Sequence, residues 1–564
     1  MNRKIFLGLM LLATMGLQSC AIFGIHFTLH NPKKPGKMPK FSEEEVLLGA
    51  LTRYRSCFDV HYYDLSVGFL PDQKKLEGKV SIHAAAVTDI DTLQLDLHPN
   101  LAILSLVNQE TGEALPYERR ERAVFVKLPQ QAGDEFVIEV AYAGKPVEAK
   151  KPPWYGGFVW ENDEEKNPWL GVACESDGAS LWWPLKDHTS DEPDSMRLHY
   201  TVPTGLVAVG NGQYEGKEDL GNTTRYDWFI SYPINTYNVT VYVGNFELIS
   251  DEFVSETGKK LALSYYVLPE HVGIATSHFK QVKPILALYE KRFGEYPWYR
   301  DGFKLVESPY AGMEHQTAIA YGNGYRNDLN ATTDYIVLHE VAHEWWGNSV
   351  TATDMADVWL QEGFATYAEA LYLESTEGEG AYQSHLNFYK IFIKNKYPLV
   401  GVRDRRWFDS KLGSDVYQKG AWTLHSLRRQ MENDPLFLDI LKTFAETYRY
   451  QIVESSDFIN LVNEKTGEDY SWFFDHYLKQ NEIPVLEYHV TDSGKMSYRY
   501  SNTAPSFNKL KVRVTIAGEP VTIVPSTEWQ ELQLSQQTAE GDWDFFFPLD
   551  QFVIPSENKK MKEQ

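Results

Sequence analysis

Residues 339–343 read His-Glu-Val-Ala-His, inside the helix-patterned segment TTDYIVLHEVAHEWWG (332–347). On a helix, His339 and His343 are i and i+4, so both imidazoles leave one face. That spacing lets two ring nitrogens reach one Zn²⁺ at about 2.0–2.1 Å. Glu340 sits one residue round, too close in sequence to share the ion and well placed to take a proton from the water that the metal activates. A catalytic zinc needs a third protein ligand and one open position. Glu362, 19 residues after His343, lies in a second helix-patterned segment, VWLQEGFATYAEAL (358–371). A separate helix packed on the first can bring that carboxylate to the third corner. The pattern points to one Zn²⁺ per chain and to metal-assisted hydrolysis. The bland alternative, two surface histidines and an unrelated carboxylate, needs a coincidence of type and spacing.

These residues need elements to hold them. Thr332, Thr333 or Asp334 can cap the first helix, Gly347-Asn348 can stop it, and Asp357 can cap the second. From about residue 52 to 268 the chain alternates apolar and polar residues in short runs, such as 78–84, 123–128, 135–142 and 237–244. From about 275 the period becomes helical, over 276–293, 333–346, 359–374, 420–432 and 435–449. Alternation returns after Pro484, in 485–490, 509–516 and 520–524. The expected organisation is a β domain over 46–268, a mainly helical domain over 269–485, a small β domain over 486–555 and a polar, frayed tail over 556–564.

The 564 residues carry a formal charge of −24, so a basic nucleic-acid footprint is not expected. Three cysteines exclude a disulfide scaffold and a thiolate zinc cluster. Cys57 and Cys174 are expected as buried free thiols. Residues 2–4 are Asn-Arg-Lys, and 5–17 form a 13-residue apolar run, shorter than the roughly 20 residues of a spanning helix. This suits a signal peptide over 1–19. Leu17-Gln18-Ser19-Cys20 resembles a bacterial lipobox, so Cys20 is the expected lipidation site. Residues 20–45, with the Pro- and Lys-rich NPKKPGKMPK, follow as a tether. The expectation is a lipid-anchored protein of the bacterial cell envelope, facing the periplasm or the cell surface. Simple cleavage and secretion is the rival.

HEVAHEWWGN followed by WLQEGFA resembles the gluzincin zinc aminopeptidases of the aminopeptidase N and leukotriene hydrolase type. The likeness spans residues 55–485 and includes FDVHYYDLSVGFLPDQKKLEGKVSI (58–82), PYAGMEHQTAIAY (309–321) and DVYQKGAWTLHSLR (415–428). It implies a multidomain α+β fold. The parts would be an N-terminal β-sandwich or saddle, a thermolysin-like, mainly helical catalytic domain and a small C-terminal β-sandwich-like domain. It also implies that Tyr417 donates to the oxyanion and that Gly312, Met313 and Glu314 belong to the substrate-anchoring motif, with Glu314 holding the α-amine. In ACESDGASLWWPLKDHTSDEP (173–193), Glu175 falls on a second amine anchor. Ala311, His315 and Ala173 depart from the family's usual Gly, Asn and Gln. The sequence ends where larger relatives carry a long helical domain, so a more open cleft is expected.

The resemblance thus implies a zinc-dependent aminopeptidase, monomeric, acting on peptides with a free N-terminus, with Glu340 as general base. The alternatives are a zinc endopeptidase, a catalytically inactive peptide-binding module and an epoxide hydrolase of the same family. Glu314 speaks against the first, since an endopeptidase has no use for an amine anchor. The intact His339, Glu340, His343, Glu362 and Tyr417 speak against the second. Nothing else in the chain reads as a lipid site, which disfavours the third.

Overall fold

The computed structural model describes residues 39–406, 415–491, 495–516, 519–533, 545–546 and 553–558. The signal segment and Cys20 lie outside the described residues.

The first part is β-rich. Its main sheet has seven strands, with Phe58–Leu70 at the centre between Lys75–Ala86, antiparallel, and Ser195–Pro203, parallel. Phe58–Leu70 alternates as an amphipathic strand should, except that Val60 and Tyr63 both point inward. A bulge between Val60 and Tyr62 absorbs the extra residue and returns Tyr63, Leu65, Val67 and Phe69 to the core face. A four-stranded sheet contains Pro168–Ala173, and a three-stranded sheet contains Ala123–Gln130. All three share one core with Trp182 and Trp183. Cys57 and Cys174 are free and buried, as expected.

The second core belongs to the helical part, which includes Val282–Phe293, Tyr335–Ala342, Trp359–Glu377, Asp415–Met431 and Asp434–Thr447. Its five-stranded sheet begins earlier than the change of period. Strands Glu247–Val254 and Lys260–Val267 continue through Phe303–Glu307 to Ile319–Tyr321 and Gly312–Met313. Leu261, Leu263, Tyr265 and Val267 pack into the helical core. The sheet therefore runs across the expected boundary at 268/269. Periodicity reports the type of an element, not the core it packs on.

Two further differences concern the ends. Ser42 and Glu45 form a capping box that starts a helix at Glu43–Gly49, so the expected tether over 20–45 is already structured at its end. Ile554–Glu557 pairs in parallel with Val485–Val490, placing the start of the expected tail in a sheet. Polar composition hid a strand whose main-chain groups are held by a neighbour. Among the described residues no helix is long and apolar enough to cross a membrane.

Candidate functional site

The zinc-motif helix is shorter than its pattern. It spans Tyr335–Ala342 with His343 as its C-cap, still in helical geometry. Of the three candidate caps, Asp334 does the work: its Oδ1 accepts from Ile336 N at 2.9 Å, while its Oδ2 is held by Tyr321 OH at 2.7 Å and lies 2.8 Å from His278 Nε2. Asp357 does not cap the second helix. A short 3₁₀ turn, Met355–Asp357, precedes Trp359–Glu377, and Asp354 caps that turn through Ala356 N at 2.7 Å. Asp357 instead accepts from Ser455 Oγ at 2.5 Å and from Arg403 at 2.6 Å.

The nitrogens and the carboxylate converge. His339 Nε2 and His343 Nε2 are 3.2 Å apart, and Glu362 Oε2 lies 3.5 and 3.4 Å from them. The outer nitrogens are committed elsewhere. His339 Nδ1 donates to Glu369 Oε1 at 2.7 Å, and His343 Nδ1 donates to the Trp346 carbonyl at 2.8 Å. In the neutral tautomers this leaves two lone pairs facing each other, beside a buried Glu362 Oε2 that accepts no hydrogen bond among the described residues. Only positive charge among them makes that arrangement favourable. The electrostatics agree. Burial opposes it, yet His343 and His339 hold Glu362 down to about 2, and neighbouring carboxylates help push both imidazoles up despite their burial. The donor set, two imidazoles and one carboxylate, fits Zn²⁺ with a position open for chemistry.

Glu369 was not singled out in the sequence. It stands seven residues after Glu362 on the same helix, which is the signal that could have found it. Its other oxygen takes Tyr389 OH at 2.5 Å and lies 2.9 Å from His385 Nε2. Such a partner fixes the tautomer and orientation of a ligand histidine.

Glu340 is buried between the metal helix and the strand Gly312–Met313. A Cβ on Gly312 would meet Glu340 Oε1 at 2.5 Å, so only glycine lets this strand come so close. Burial, reinforced by Glu314 and Glu362, pushes Glu340 up to about 8 in spite of the two histidines. Met313 is buried and pairs with Ala320.

Glu314, 4% exposed, accepts from Tyr237 OH at 3.2 Å. Tyr237 OH in turn accepts from Gln361 Nε2 at 3.0 Å, and Asn348 Nδ2 donates to the Glu314 carbonyl at 2.8 Å. Burial drives the Glu314 carboxyl upward, with Glu362 adding to it. Glu175, 8% exposed, arrives from the β-rich part, and ligand oxygens of Glu175, Glu314 and Glu362 lie within 4.8 Å of one another. Asn348 is the last residue of the HEVAHEWWGN motif. Tyr237 had no signal, because it comes from a distant loop of the first domain.

Tyr417 belongs to the helix Asp415–Met431, and its ring centroid is 6.1 Å from that of His339. Two glycines permit the approach. A Cβ on Gly363 would meet Gly420 Cα at 2.9 Å, and one on Gly420 would meet Gly363 Cα at 2.7 Å. The helices touch backbone to backbone one residue after Glu362 and one turn after Tyr417. His315 packs inward, its Nδ1 2.6 Å from Tyr242 OH, and Tyr310 donates to the Val172 carbonyl at 2.9 Å. Trp345 and Trp346 are core residues, as their helical spacing suggested.

Every residue placed at the site by sequence is therefore brought to one location, Cys20 apart. Residues 278–477 match the peptidase family M1 domain. The helical part of this chain is thus similar to the peptidase family M1 domain. The chain is 24% identical over 437 residues to the leucyl aminopeptidase of Saccharolobus solfataricus, covering 72% of this chain and 52% of that protein. It is 24% identical over 473 residues to the glutamyl aminopeptidase of Rattus norvegicus, covering 77% of this chain and 48% of that protein. The chain spans about half the length of these curated relatives. Its fold is similar to the M1 zinc metallopeptidase of Deinococcus radiodurans, solved as a mutant bound to a Tyr-Ser-Ala substrate. The TM-score is 0.63 at 23% identity, over 76% of this chain and 95% of that one. The helices that carry His339, Glu362 and Tyr417 lie within the matched region, and Glu175 comes from the β-rich part before it.

Proposed function

We propose that this chain is a zinc-dependent aminopeptidase that removes single residues from the free N-terminus of peptides, with one Zn²⁺ per chain. The observation that carries the reading is the second carboxylate group. Glu314 and Glu175 stand beside the metal triad, both buried, where an endopeptidase would need an uncharged groove. Two buried carboxylates are costly unless a cation meets them. A peptide's α-ammonium is such a cation, and its distance from the metal admits one residue before the scissile bond.

His339, His343 and Glu362 would hold the ion. When bound, it supplies Lewis-acid polarisation of the scissile carbonyl and of the attacking water. Glu340 accepts the proton of that water on a carboxylate oxygen and delivers it to the leaving amine. Tyr417 donates its hydroxyl to the oxyanion as charge develops there. Glu314 and Glu175 keep the ammonium fixed throughout, so orientation is settled before the bond breaks. Glu369 keeps the proton on His339 Nδ1, leaving Nε2 free for the ion.

A ten-residue peptide digested and followed by mass spectrometry tests the reading. Stepwise loss of single residues from the N-terminus is expected, abolished by a chelator and restored by Zn²⁺. Early internal fragments would overturn it. The sequence before residue 39 supports a further part of the proposal: the chain is acylated at Cys20 and held in the cell envelope, facing the periplasm. Cys20→Ser should then move the protein from the membrane to the soluble fraction. Unmodified protein beginning beyond Cys20 would reject the anchor.

A further inference from the structure

The carboxylates assigned to the amine come from separate segments, and one buried guanidinium ties the Glu175 turn to the helical part. Arg406 lies in a segment of the helical part, 403–406, that is fastened to the turn before the Glu362 helix. Arg403 Nη2 is 2.6 Å from Asp357 Oδ2, and Asp404 N donates to Asp354 Oδ2 at 2.8 Å. From that footing the Arg406 side chain crosses to the turn carrying Glu175. Its Nη2 donates to the Glu175 carbonyl at 3.1 Å and its Nε to the Ser176 carbonyl at 3.2 Å. Its Nη1 lies 3.4 Å from Asp187 Oδ1. Asp187 Oδ2 accepts from Ser180 N at 3.1 Å, which closes the turn from its far end. Burial would raise the Asp187 carboxyl, but Arg406 and Ser180 hold it below the ordinary range, so the pair is ionised.

Arg406 is 7% exposed, and its main chain is backed by the helix Glu43–Gly49. Arg406 N donates to the Glu45 carbonyl at 3.0 Å, and Leu51 N donates to Asp404 Oδ1 at 3.2 Å. Gly49 is pressed against this segment: a Cβ there would meet Arg405 C and Arg406 N at 2.1 Å. A guanidinium held in one orientation makes several hydrogen bonds at once, which a flexible ammonium cannot reproduce.

We propose that Arg406 is a positioning residue for the amine anchor. It ties the Glu175 turn to the helix that carries Glu362, with helix Glu43–Gly49 as its backing, and so sets the distance between the ammonium site and the metal site. It touches neither substrate nor metal. The proposal rests on the aminopeptidase reading.

The test uses the full zinc-loaded chain and two hydroxamates with the same side chain, one bearing an α-amine and one lacking it. Both chelate the metal, and only one engages the anchor. Calorimetry gives the ratio of their dissociation constants. In Arg406→Ala this ratio should fall at least tenfold, while the des-amino compound binds within threefold of wild type and the zinc content is unchanged. Arg406→Lys should fall between the two. Gly49→Ala pushes the same segment from behind with the guanidinium intact, and should lower the ratio severalfold; it decides the matter if Arg406→Ala does not fold. An unchanged ratio in a folded variant, or equal weakening of both compounds, overturns the positioning role. If wild type shows no preference for the amine-bearing compound, the aminopeptidase reading itself fails, and the proposal falls with it.

Discussion

The proposed metal end and the proposed amine end of the site are built differently. At the metal end, His339, Glu340 and His343 come from little more than one helical turn, and Glu362 comes from the helix packed on it. Glu369 and the Trp346 carbonyl orient the two imidazoles from within the same core. At the amine end, Glu175 comes from a turn of the β-rich domain and Glu314 from the end of a two-residue strand. Tyr237 comes from yet another loop, and Arg406 joins the pieces. A centre made by one helix is fixed as soon as that helix forms. A centre made by docking is only as accurate as the docking. Damage at the metal end should therefore be close to all-or-none, and damage at the amine end graded and selective for the charged group.

The largest effect expected is on the proton carrier. Glu340→Gln removes the base and no ligand, so kcat should drop by roughly 10³-fold, within the range for general acid–base groups, with zinc still bound by metal analysis. Near wild-type kcat would remove Glu340 from the mechanism. Glu314→Ala should lower kcat/KM on free peptides by about a hundredfold, which is about 2.7 kcal/mol, and leave N-acetylated peptides as poor as before. If both peptide classes lost activity alike, the two ends would not be separable as described. Glu369→Ala should weaken zinc by roughly 10–100-fold, measured by competition with a chromophoric chelator. An unchanged zinc affinity would mean that His339 is oriented by the helix alone.

The smallest effect concerns stability and bears on the docked end. His188 is buried near Arg55, its Nε2 3.2 Å from the Gly49 carbonyl, and burial pushes it down to about 3. A folded-state value below that of the unfolded chain means that the unfolded chain takes up the proton first as pH falls. The contribution is complete above about pH 6.5 and is lost as pH falls toward 3, reaching roughly 2–3 kcal/mol by pH 4.5. Thermal melts between pH 7 and 4.5 should show this slope, and His188→Asn should flatten it. An equally steep acid slope in the variant would assign the loss to other groups.

How much of this was legible in the chain follows from the same contrast. The spacing of His339, Glu340 and His343 is a statement about one helix, and Asp334 was among the caps it offered. Asp357 failed as a cap because a 3₁₀ turn intervened, a detail set by Ser455 and Arg403 from elsewhere in the fold. The strands over 247–267 were recognised as strands but placed with the wrong neighbours, since alternation carries no record of the partner.

By itself, then, the sequence determined the metal chemistry: residue types at helical spacing leave one face together, whatever the rest of the molecule does. It also named Glu314, Glu175 and Tyr417 through likeness to a family. Only the tertiary structure decided that these three come together beside His339 and Glu362. Gly312 admits the Glu314 strand against Glu340, and Gly363 and Gly420 let the Tyr417 helix touch the Glu362 helix. Arg406 donates to the Glu175 carbonyl of another domain, 231 positions away in the sequence. No local pattern records a contact over that distance, because it is fixed by the packing of whole domains and not by the conformational preference of any segment.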